Sequence, residues 1–234
     1  LDAAVLIGCS GRLEASLSVV RRRGIPVVVI DGDAGEGIPR ITLDNREATR
    51  QIASHLRSLE HTNVAIVTLP LQADRQRGPV GDDAEITIEV TRERLRGARD
   101  VYPDAPAVAA AGSFIDEGVL AGRLLLADPA SRPTAIIAQS DLLAAGVIRA
   151  AEELGLAVPR ELSVVGFDGI TVDGLAPYEL ATMVQPAAQI GRIAGEAVVR
   201  MLEGSDAPSV RFSCVFREGN TTAVAPAEAP LPVN

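Results

Sequence analysis

Leu162-Ser163-Val164-Val165-Gly166-Phe167-Asp168 is a short apolar run that ends on an acid, and it reads as a buried strand with a carboxylate just past its end. Outward from it the same grammar repeats. Upstream, Ala135-Ile136-Ile137-Ala138 is a strand, followed by a helix from Asp141 to Leu154 with Gly155 as its stop. Downstream, Glu179 to Val184 is a short strand before Gln185-Pro186. A helix runs from Ala187 to Glu203, and Ser209 to Arg217 reads as a closing strand. Towards the amino terminus, strands at Ala3–Ile7, Pro26–Ile30, Arg40–Leu43, Val64–Leu69 and Val108–Ala111 alternate with helices. Those helices lie at Leu13–Arg23, Asn45–Leu59, Arg92–Val101 and Asp116–Ala127. Asp44 with Glu47 three residues on is a capping-box pattern opening the second of them. Strands alternating with helices predict an α/β fold built on parallel sheets. Asp31 and Asp168 each follow a strand, and ligands of open α/β sheets bind outside those carboxyl ends. On position alone, each is equally a loop residue capping a turn and a site residue.

Composition narrows the function classes. The 234 residues are 47% hydrophobic but only 3% aromatic, with no Trp, so the core is aliphatic. Basic residues number 22 against 31 acidic, a net charge of −9, which is wrong for neutralising phosphates; this chain by itself reads as a poor binder of nucleic acid. No stretch reaches the roughly 18 uncharged apolar residues of a membrane helix, and no basic-then-apolar signal sequence opens the chain. Cys9 and Cys214 read as two reduced thiols. Gln72–Glu85, polar and aperiodic with Gly78, Pro79 and Gly81, reads as a mobile loop, and the Pro- and Ala-rich residues 227–234 as a disordered tail.

Catalytic signatures are missing. The chain has no G-x-S-x-G elbow, no GxxxxGK[ST] loop and no G-x-G-x-x-G after a strand. Gly32, Gly35 and Gly37 read as a flexible loop. His55 and His61 have no zinc spacing; His55 reads as a surface or half-buried helix position and His61 as a helix-end cation. The reading is a binding protein, not an enzyme, with no metal or cofactor.

Several segments in order resemble the effector-binding core of LacI-family transcription regulators. They are Gly24-Ile25-Pro26-Val27-Val28-Val29-Ile30-Asp31, then Leu43-Asp44-Asn45 with His55-Leu56 and His61-Thr62-Asn63-Val64-Ala65. Arg94-Leu95-Arg96-Gly97, Gly112-Ser113-Phe114, the Ser163-to-Asp168 run and Leu180 to Pro186 follow. The resemblance covers residues 1 to about 226 and implies two similar Rossmann-like subdomains of the periplasmic-binding-protein type I fold, hinged around a small-molecule cleft. The crossings fall near 42–44, 185–187 and 205–208. The amino-terminal subdomain is then 1–42 plus 187–206 and incomplete; the carboxy-terminal one is 43–186 plus 207–226. The family's DNA reader, hinge helix and first two βα units have no counterpart, so the chain reads as a piece whose beginning is missing. Its G-H motif is Glu60-His61 here, which lacks the flexible helix stop, and the stretch from Pro70 to Arg94 is longer than the family's connection.

The resemblance also implies ligand contacts. Arg94 would offer a fork of donors to ligand oxygens, and Asp168 would accept ligand hydroxyl or ring N–H groups. Phe114 would stack on a sugar or base face, with a core Phe as the rival reading. Asp31 lies at a strand end that often touches ligand, Ser140 stands where the family often has Asn and has a shorter reach, and Gln185 sits at a crossing. The implied protein is a cytoplasmic homodimeric regulator, a repressor, responding to a sugar, sugar phosphate or nucleoside. It would bind operator DNA through an amino-terminal domain not in this chain and have no membrane partner. The rival reading is a solute-binding protein of a transport system with the same fold.

Overall fold

A computed structural model describes residues 1–8, 13–32 and 34–227; Cys9 and residues 228–234 lie outside the described residues. The chain begins β1 (Ala4–Ile7), α1 (Leu13–Arg22), β2 (Val27–Ile30), β3 (Arg40–Leu43), α2 (Asn45–Ser58) and β4 (Val64–Thr68). It continues β5 (Gly78–Pro79), α3 (Glu89–Arg99), β6 (Ala107–Ala109), α4 (Ile115–Leu126), β7 (Ala135–Ala138) and α5 (Asp141–Glu153). It closes with β8 (Ser163–Asp168), β9 (Ala181–Val184), α6 (Ala187–Leu202), β10 (Val210–Phe212) and β11 (Val215–Arg217).

These strands form two sheets. The smaller has the order β1-β2-β3-β10 and is parallel throughout. The larger has the order β11-β9-β8-β7-β4-β6-β5; its five inner strands are parallel and both edges antiparallel. Side chains alternate across each strand, so the inner strands must be apolar at every position to be covered on both faces. In β4, Ala65 and Val67 pack with α4 and α5, while Val64 and Ile66 pack with α2 and α3. In the smaller sheet Val28 and Ile41 meet α6, and Val27 and Val29 meet α1. Helices α4 and α5 touch backbone to backbone because Gly118 and Gly146 face each other. A Cβ on Gly146 would lie 2.1 Å from the Ile115 carbonyl oxygen.

Four expectations change. The run Ser209–Arg217 is two strands: β10 pairs with β3 and β11 with β9, so the last passage between sheets falls at Ser213-Cys214, not at 205–208. The segment Gln72–Glu85 is tied down, not loose. β5 adds to the sheet edge beside β6, Gln72 donates to the Glu85 carbonyl, and Arg77 grips Glu117 through its Nε and Nη2 at 2.6–2.9 Å. The capping box is half formed, since Asp44 accepts from the Glu47 N–H (3.3 Å) while the Asp44 N–H goes to the Phe212 carbonyl. His61 is fully buried rather than a helix-end cation. It sits among the Thr134 hydroxyl (2.9 Å), the Ser163 hydroxyl (3.1 Å) and the Ala223 carbonyl (3.0 Å), and burial lowers its pKa. Glu60, in the family's glycine position, takes the left-handed backbone itself at φ 66°.

Candidate functional site

The strand ends converge on one polar network between the two sheets. β2 ends at Ile30, and Asp31 turns the chain with φ 47°. Its Oδ1 accepts from the Leu43 N–H (2.9 Å) and from Asn45 Nδ2 (3.5 Å). Asn45, buried at the start of α2, accepts through Oδ1 from Arg94 Nε (2.9 Å). Arg94 projects from the middle of α3, with Nη1 donating to the Gln139 carbonyl (2.6 Å) just past β7 and facing Asp168 Oδ1 at 3.5 Å. Its guanidinium carbon lies 3.5 Å above the Phe167 ring centre. The chain of contacts closes where Gln185 Nε2 donates to the same Asp168 oxygen at 2.6 Å.

Four expected residues therefore share one network: Asp31, Arg94, Asp168 and Gln185. The Arg94 donors are directed inward, to protein acceptors, and its side chain is only 4% exposed. That burial is tolerable because a guanidinium is weakly hydrated and has its partners at hand. Burial raises the pKa of both Asp31 and Asp168; the Arg94 charge opposes it in each, and each acid also feels a second carboxylate, Glu89 for Asp31 and Asp31 for Asp168.

The other two stand apart. Ser140 is buried and caps α5, accepting from the Leu143 N–H (3.2 Å) and from the Ser113 hydroxyl (2.8 Å). Phe114 precedes α4 with its ring against Gly112, and at 57% exposure it is not a core residue.

A cavity of about 540 Å³ opens beside the network, lined by Asp31, Arg40, Asn45, Arg46, Glu89 and Arg211 among others. Of the expected residues only Asp31 lines it. Arg40 on β3 and Glu89 on α3 pair across it at 2.7 Å, linking the two sheets' layers. The cavity's described lining sets arginines and acids side by side. Among the described residues no group of His, Cys, Asp and Glu is placed to hold a metal ion. No helix of the described residues is long and apolar enough to cross a membrane.

The family model for the periplasmic binding protein-like domain matches residues 53–219. The chain belongs to that family. Its relatives within the periplasmic binding protein-like family are transcriptional regulators, and the chain corresponds to the effector-binding core of the LacI-type members. The HTH-type transcriptional regulator reg1 of Streptomyces lividans is 30% identical over 215 residues, 90% of this chain and 60% of its own length. A LacI-family regulator from Corynebacterium glutamicum superposes with a TM-score of 0.86 at 28% identity, covering 95% of this chain and 68% of its own. One from Enterococcus faecium, solved with bound ribose, shares the fold at a TM-score of 0.77 and 22% identity, over 94% of this chain and 80% of its own.

Three members of the network escaped sequence reasoning: Asn45, Gln139 and Phe167. Asn45 stood in a quoted motif as a helix-opening residue, so its position was visible but its role was not. Gln139 acts through its backbone carbonyl, and Phe167 reads as strand core; neither has a sequence signal.

Proposed function

We propose that this chain is the effector-sensing and dimerisation core of a ligand-responsive transcriptional repressor. A small sugar-like or nucleoside-like molecule, or a sugar phosphate, binds between the two sheets. The observation that carries the reading is the network from Asp31 through Asn45 and Arg94 to Asp168 and Gln185, which joins strand ends of both sheets at one point. A ligand whose hydroxyls replace or bridge these contacts binds one arrangement of the two halves better than another, and that difference shifts the population. The Arg40–Glu89 pair spans the same divide and would respond to the same shift. The protein would work in the cytoplasm as a homodimer and reach operator DNA through a domain outside this chain, since the acidic core is unsuited to DNA.

Calorimetric titration with ribose, hexoses, nucleosides and a sugar phosphate tests the reading. Asp168→Asn should weaken the ligand found by about ten- to a hundredfold, the worth of one hydrogen bond to a charged group. No binding from the panel counts against the function, and unchanged binding to Asp168→Asn counts against the site.

A further inference from the structure

We propose that Asp141, the first residue of α5, is a positioning residue that holds the Asp168 carboxylate in place against Arg94 and Gln185. Asp141 is fully buried, and its carboxylate spans three elements. Oδ2 accepts from the Ile170 N–H (2.7 Å), just past β8, and Oδ1 accepts from the Thr182 hydroxyl on β9 (2.5 Å). The Gly169 N–H also points at it. The two peptides that follow Asp168 are thus fixed by one side chain from a different helix.

Asp168 needs that support. Its φ is 118°, a conformation that L residues rarely adopt and that persists only where the surroundings over-determine it. Gly169 follows at φ 78°, and a Cβ there would lie 2.7 Å from Val184 Cα. Gly166 explains itself in the same way: a Cβ there would stand 2.3 Å from Asp141 Oδ1. The glycines in Val165-Gly166-Phe167-Asp168-Gly169 are therefore the space the Asp141 anchor and its strained turn occupy.

A carboxylate does this in full and an amide only in part. It takes several N–H and O–H donors at once, whereas an amide offers one oxygen. Burial, with the nearby Asp168 charge adding to it, pushes its pKa up to about 6 against the Thr182 and Ile170 hydrogen bonds that lower it, so the group is a carboxylate above that pH. The charged groups around this turn are Asp168, itself facing Arg94, and Arg217 on β11, which reaches the Gly169 carbonyl at 3.5 Å.

The inference deepens the proposed function, because it concerns how a cleft carboxylate is held, and its test needs no ligand. Asp141→Ala and Asp141→Asn are compared with the parent by amide hydrogen exchange at Ile170 and by carbon NMR titration of the Asp168 carboxyl. In Asp141→Ala the Ile170 amide should exchange on the order of tenfold faster, the loss of one hydrogen bond. The Asp168 titration should fall towards the ordinary aspartate range. Asp141→Asn, which keeps one acceptor oxygen and drops the charge, should move the Asp168 titration only part of the way. Parent-like values in Asp141→Ala overturn the proposal, and so does an Asn variant that moves as far as the Ala variant. Should Asp141→Ala fail to fold, the parent decides: Ile170 protection should fall severalfold relative to β7 amides as pH drops through about 6, and a flat ratio overturns the proposal.

Discussion

Replacing Arg94 with Met keeps the length of the side chain and removes its charge and donors. The structure sets the cost. Asn45 Oδ1 and the Gln139 carbonyl lose their donor at a buried site, each worth about 1 kcal/mol or more. Asp168 keeps the Gln185 amide, Asp31 loses the cation that opposes its raised pKa, and Phe167 loses the guanidinium stacked on it. Removing one partner of a buried pair costs about 3–5 kcal/mol, a large part of a whole domain's stability. With a urea slope of about 2–3 kcal/mol per molar, the unfolding midpoint should drop by about 1–2 M. The pH dependence has a definite sign. Asp31 and Asp168 already have folded pKa values above the unfolded one, so each stabilises the fold at low pH and loses that contribution as pH rises through its folded value. Without Arg94 both pKa values rise further, so the penalty is largest near neutrality and shrinks in acid. The assay is urea unfolding followed by circular dichroism, since the chain has no Trp, at about pH 7.5 and about pH 5. A penalty below about 1 kcal/mol, or one equal at both pH values, would refute the claim that the guanidinium is an internal tie.

Other positions separate packing from binding. Gly146→Ala should lower stability by several kcal/mol in thermal or urea unfolding, because its Cβ would sit 2.1 Å from the Ile115 oxygen between two rigid helices. Phe114→Ala should change stability by about 0.5 kcal/mol or less, since the ring is largely exposed, yet weaken whatever sugar or nucleoside the calorimetric panel identifies. A stability loss of several kcal/mol would return Phe114 to the core. His61→Gln tests the buried imidazole. Its folded pKa lies below 6.5, so the parent should lose stability as pH falls below about 6.5, and the variant should lack that component in melts across pH 5 to 8.

Much of the site was visible as position and little of it as contact. The acids at strand ends stand out because a parallel sheet puts its loops at one edge, whereas Arg94 stood out only through the family resemblance of Arg94-Leu95-Arg96-Gly97. What those groups touch is another matter. Arg94 meets Asn45, 49 residues away, and Asp168, 74 residues away. No local pattern encodes such pairs. His61 shows the same gap: a polar residue after a helix looks solvent-bound, yet Ala223, 162 residues later, closes over it. Phe114 shows it in reverse, since four Phe in an aliphatic chain suggest core and this one is exposed.

By itself the sequence determined the α/β alternation, the parallel inner strands and the acidic, aromatic-poor composition, because hydrophobic period and glycine stops act over a few residues. The tertiary structure decided which sheet each strand joined, splitting Ser209–Arg217 between two of them. It also turned Asp141 from a helix-opening acid into the anchor of a strained turn. Both outcomes depend on groups brought together only when the sheets close, where burial makes most polar atoms find a partner.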